Sequence, residues 1–130
     1  MNAKVPIMVV DDDIDILETV RDILVGGGYS VVTAGNGKEA LDLIHEIDRP
    51  CVILLDLMMP VMSGGEFLSV LRQTRVLATV PVVIISAWAS EAGNVLDQVQ
   101  GFVKKPMSLK SLLDVANRYC AENPECRACS

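Results

Sequence analysis

Three stretches of the chain are apolar almost without interruption, and each stops at a polar residue. Residues 5–10 run into Asp11, residues 52–55 into Asp56, and residues 82–85 into Ser86. β-Branched residues dominate these runs and polar alternation is scarce, as expected for strands of a parallel sheet covered on both faces. Residues 31–32 and 102–103 are shorter candidates for further strands. Between the runs, apolar residues recur at helical spacing. Leu17, Val20, Ile23 and Leu24 share one face, and Ala40, Leu41, Ile44 and Ile47 share another. Leu109, Leu112, Leu113, Ala116 and Cys120 repeat the pattern near the end of the chain.

Local signals mark where these helices start and stop. Asp13 is placed to cap the first, and Gly26-Gly27-Gly28 to end it. Ser63-Gly64-Gly65-Glu66 reads as a capping box, with a looser version at Asn36-Gly37-Lys38-Glu39. Ser90 and Ser108 are further N-cap candidates. The resulting order is strand then helix, five times over. That order predicts an α/β fold: a doubly wound, five-stranded parallel sheet with helices on both faces.

Length and charge narrow the picture. The 130 residues suit one domain, predicted over residues 1–122, with a short Cys-containing tail at 123–130. A net charge of −6 argues against a nucleic-acid-binding surface and serves solubility. The opening residues carry too short an apolar stretch for a signal peptide, and no apolar run reaches membrane-spanning length. A cytoplasmic location with no membrane partner is the expectation. Cys51, at the head of an apolar strand, reads as an inert core thiol. Cys120, Cys126 and Cys129 cluster at the end, and their single C-x-x-C lacks the further ligands of a structural zinc site. They read as an incidental thiol group, metal or redox use being the alternative.

The polar residues that end the strands carry the chemistry. In an open parallel α/β sheet, ligands bind beyond the carboxyl ends of the strands, near the topological switch point. Asp11, Asp12 and Asp13 follow the first strand, Asp56 the third, Ser86 the fourth, and Lys104 and Lys105 the fifth. Crowded carboxylates call for a hard divalent cation, and Mg²⁺ suits carboxylates, a carbonyl, waters and a phosphoryl oxygen. A lysine offsets remaining charge and a hydroxyl can bond a phosphoryl oxygen. The set reads as a phosphoryl-transfer site with an aspartate nucleophile. A calcium loop built on Asp11, Asp13 and Asp15 fails, because Ile16 and Asp22 stand where Gly and Glu are required.

VVDDD at 9–13, LLDLMMPVMSGGE at 54–66, ISA at 85–87 and FVKKP at 102–106 together resemble the receiver domain of two-component response regulators. The single-domain chemotaxis response regulator is similar in form. The resemblance implies a flavodoxin-like receiver fold and a phosphoryl group accepted on Asp56 from a sensor histidine kinase or histidine phosphotransfer protein. It implies that Asp12, Asp56 and the backbone carbonyl of Met58 bind Mg²⁺, for which Mn²⁺ can substitute, while Asp11 acts through water. Ser86 and Lys105 are the implied phosphoryl-stabilising residues, with Lys104 as second choice, and Phe102 the implied switch aromatic. Pro106 is the implied site of a cis bond after Lys105. Met58, Ala87 and Trp88 flank the acceptor, and the bulk of Met58 and Trp88 is expected to exclude water.

One departure stands out. The interval from Ser86 to Lys105 is shorter than the family pattern and contains Gly93, so a short or irregular fourth helix is expected there. The functional expectation is a stand-alone phospho-acceptor rather than an enzyme. It signals to a downstream protein through a phosphorylation-dependent surface. The alternatives are a phosphorylation-independent interaction module and an aspartyl-phosphate phosphohydrolase. The second lacks an acid two residues after the nucleophile, where Met58 stands.

Overall fold

A computed structural model describes residues 6–44, 50–56, 64–74, 80–86, 99–104 and 108–121. Its strands are β1 (Ile7–Val10), β2 (Val31–Ala34), β3 (Val52–Asp56), β4 (Val82–Ser86) and β5 (Gly101–Lys104). Its helices are α1 (Ile14–Gly26), α2 (Gly37–Ile44), α3 (Gly64–Gln73) and α4 (Leu109–Ala121). All strand pairs are parallel, in the order β2-β1-β3-β4-β5. This is a flavodoxin-like α/β fold, as expected. The fourth crossover, the Ser63 and Ser90 caps and Ile47 lie outside the described residues.

Burial explains which strands were plain in the sequence. β3 and β4 are interior, and every residue of each is buried, as is all of β1. The edge strands β2 and β5 are only half covered, and their apolar runs are correspondingly short. Side chains alternate across the sheet and build two separate cores. Met8, Val10, Ile53, Leu55, Val82 and Ile84 pack with Ala40 and Ile44 of α2 and with Phe67, Leu68 and Leu71 of α3. Ile7, Val9, Val52, Leu54, Val83 and Ile85 pack with Leu17, Val20 and Leu24 of α1 and with Leu112 and Ala116 of α4. Leu109 departs from the expected apolar face. It opens α4 and is 58% exposed, three positions before Leu112, the first residue of that helix buried against the sheet.

The caps follow the sequence. Asp13 accepts from the N–H groups of Asp15 (3.0 Å) and Ile16 (3.4 Å). Asn36 Oδ1 accepts from Glu39 N at 2.8 Å, while the Glu39 carboxylate reaches back to Gly35 N. Ser108 Oγ accepts from Ser111 N at 3.0 Å. At the end of α1, Gly28 takes the left-handed conformation (φ 96°) that turns the chain toward β2. Gly27 packs closely for a different reason: a Cβ there would come within 2.8 Å of Leu113 Cδ2 on α4, so that side chain would have to shift.

Phe67 is fully buried between α3 and the sheet, among Leu68, Leu71 and the strand residues of that core. Phe67→Ala is expected to destabilise the domain by about 3–5 kcal/mol, read from urea unfolding. A loss below about 1 kcal/mol would show that this core repacks freely.

Candidate functional site

The chain crosses from one half of the sheet to the other between β1 and β3, and two carboxylates leave the sheet at that point. Asp56 is the last residue of β3, and Asp11 follows directly on β1, where its N–H donates to Ala34 O at 3.1 Å. Val52 and Leu54 face the α1/α4 core, so alternation gives Asp56 the same side; Ile7 and Val9 assign Asp11 likewise. Asp11 and Asp56 are nearly inaccessible, at 3% and 5%, whereas Asp12 is exposed.

Carboxylate oxygens of Asp11, Asp12 and Asp56 all lie within 4.8 Å of one another. Three like charges at that separation, two of them buried, repel strongly unless a cation joins them. The donor set is all hard oxygen, with one member, Asp12, open to solvent. It fits Mg²⁺. A local bond holds the cluster in shape: Asp13 N donates to Asp11 Oδ1 at 2.9 Å. Sequence reasoning gave Asp13 only its capping role and missed this one. The signal was available, since an Asp two residues before a helix cap commonly accepts that N–H as an Asx turn.

Ser86 ends the neighbouring strand and is 1% exposed. Its register partner on β5 is Lys104, which is exposed. Phe102, two residues earlier on β5, is half-buried against the α2/α3 core. Lys104 therefore belongs by alternation to the face opposite Asp56, which counts against it as the partner lysine. Lys105, Pro106, Met58, Ala87 and Trp88 lie outside the described residues.

One sequence expectation needs correction. Cys51 is buried, at 2% exposure, but it is disulfide-bonded and so not an inert thiol. An apolar strand context predicts burial and says nothing about what the other cysteines reach.

A doubly wound sheet with a three-carboxylate cluster at its switch point defines the class: an α/β domain with an acidic pocket at the carboxyl edge of its sheet. The model of the response regulator receiver domain matches residues 7–117, and the chain belongs to that family of two-component signalling proteins. It is 40% identical over 112 residues to the response regulator MprA of Mycolicibacterium vanbaalenii, covering 84% of this chain and 47% of that protein. It is 29% identical over 119 residues to the polar-differentiation response regulator DivK of Brucella anthropi, covering 89% and 96%. The chain thus spans about half the length of some curated relatives and nearly all of others. Among solved structures, chemotaxis protein CheY4 of Vibrio cholerae superposes with a TM-score of 0.80 at 31% identity, over 90% of this chain and 99% of that one. Receiver domains are generally phospho-acceptors rather than enzymes, and they bind Mg²⁺ at an acidic pocket of this kind. Among the described residues, no helix is long and apolar enough to cross a membrane.

Proposed function

We propose that the chain is a cytoplasmic receiver that accepts a phosphoryl group on Asp56, with Mg²⁺ bound, from a histidine kinase or histidine phosphotransfer protein. The observation that supports this reading is the cluster of Asp11, Asp12 and Asp56, with the buried Ser86 ending the strand next to β3. Asp56 is the acceptor because it alone ends a strand within apolar surroundings. Asp12, Asp56 and the Met58 carbonyl would hold the cation, with Asp11 acting through water. When bound, Mg²⁺ offsets the charge of the phosphoryl oxygens.

In the transfer, an Asp56 carboxylate oxygen attacks phosphorus in line with the phosphohistidine nitrogen. The new O–P bond forms as the N–P bond breaks, and the imidazole leaves and takes up a proton. The bonds of Asp11 to its neighbours fix the approach before the donor arrives, so little reorganisation is left for the reaction itself. Ser86 Oγ–H donates to a phosphoryl oxygen of the product, and Lys105 faces the same group. Drawing Ser86 toward the phosphoryl group opens space on the α2/α3 side, into which Phe102 turns, and the altered β4–β5 surface is what a downstream protein reads.

The test is incubation with acetyl phosphate and Mg²⁺ followed by intact mass. One phosphoryl adduct is expected, and chelation of the metal should slow its formation about tenfold or more. Absence of any adduct would favour a phosphorylation-independent module, and rapid turnover without accumulation a phosphohydrolase.

A further inference from the structure

The disulfide at Cys51 lies at the opposite end of β3 from Asp56, and none of the chemistry above uses it. Cys51 precedes β3 at the amino-terminal edge of the sheet, where its N–H donates to Pro6 O at 3.0 Å. It is packed in the α1/α4 core, the same core that takes Leu112 and Ala116 from α4. These two are four residues apart on one helical face, and the next position on that face is Cys120. The other two cysteines, Cys126 and Cys129, come after α4. We propose that Cys51 and Cys120 form an intramolecular disulfide that staples the last turn of α4 to the amino-terminal edge of β3, and that thiol–disulfide exchange makes and breaks it.

Two features suit a reversible link. The end of α4 already has a non-covalent attachment at this edge: Tyr119 Oη donates to Gln100 O at 3.2 Å, and Gln100 in turn bonds Val82 through both its N–H and its side chain. The helix therefore keeps its seat when the sulfurs part. Cys51 Sγ is also 3.7 Å from Pro6 O, so the thiol released by reduction has an acceptor within reach for its weak S–H donor.

Formation needs an oxidant of the low-molecular-weight disulfide class, such as glutathione disulfide. Because Cys51 is buried, the first attack falls to the Cys120 thiolate, which breaks the small disulfide, forms a mixed disulfide and releases one small thiolate. The Cys51 thiolate then attacks the Cys120 sulfur and releases the second. Two protein thiols lose two electrons and two protons, and the small disulfide gains them as two thiols. In a reducing compartment the same steps run backward.

Peptide mapping of the full chain tests the pairing. After oxidation with glutathione disulfide and alkylation of remaining thiols, digestion with trypsin and a Glu-specific protease separates Cys120 from Cys126 and Cys129. The expected product joins the Cys51 peptide to the Cys120 peptide and disappears with dithiothreitol. Linkage of Cys51 to Cys126 or Cys129, or an alkylated Cys51, would overturn the proposal. Thermal melts supply a second readout. Reductant should lower the Tm of the oxidised wild type by about 10 °C. It should do the same for the Cys126→Ser/Cys129→Ser variant and leave Cys120→Ser unmoved. A reductant-insensitive wild type, or a Cys120→Ser variant that still responds, would defeat the assignment.

Discussion

Asp56→Asn is expected to abolish labelling by acetyl phosphate in the presence of Mg²⁺. The carboxamide matches the carboxylate in size, so the packing of β3 against its neighbours is preserved. What disappears is the anionic oxygen that attacks phosphorus, and a neutral amide is a poor replacement as a nucleophile. The same change removes one of three carboxylates that lie within 4.8 Å of one another, relieving repulsion in the metal-free protein. Stability should therefore be unchanged or slightly raised while the chemistry is lost. That pair of results separates a missing acceptor from a misfolded domain. Intact mass after incubation with the phosphodonor reads the first, and a thermal melt the second. A variant that labels as well as wild type would move the acceptor to another carboxylate of the cluster.

How far the sequence could be read depended on how completely each segment is buried. The interior strands announced themselves because both faces of β1, β3 and β4 are covered, leaving no place for polar alternation. The edge strands were legible only as pairs of residues, since β2 and β5 are half covered and tolerate Thr33, Gly101 and Lys104. Leu109 illustrates the limit of helical periodicity: it fits the apolar spacing of α4, yet it opens the helix and remains exposed. The site was legible because topology alone gathers strand ends. Asp11 and Asp56 are far apart in sequence but emerge from adjacent strands, and a strand order of 2-1-3-4-5 places them at the switch point. Cys51 was misread for the converse reason. No local pattern links the head of β3 to another cysteine, because such a link depends on how segments distant in sequence are brought together by the fold.

The two adjacent lysines give the last contrast, and β5 supplies the reason. Its register sets Phe102 opposite Ile84, Val103 opposite Ile85 and Lys104 opposite Ser86. Phe102 packs with the α2/α3 core and Val103 with the α1/α4 core, so Lys104 shares the side of Phe102 and Val103 shares the side of Asp56. If the alternation carries one residue further, position 105 falls on the side of the acceptor. An ammonium there would offset phosphoryl charge, and a positioned cation beside buried carboxylates acts much more strongly than one at the surface. Lys105→Ala is expected to slow phosphoryl transfer to Asp56 by about tenfold or more. Lys104→Ala, which removes an exposed charge from the other side, should change the rate by less than about twofold. Initial rates of adduct formation at fixed acetyl phosphate and saturating Mg²⁺ decide the matter. If the Lys104 variant is the slower of the two, the alternation does not carry beyond β5 and Lys104 is the partner of the phosphoryl group.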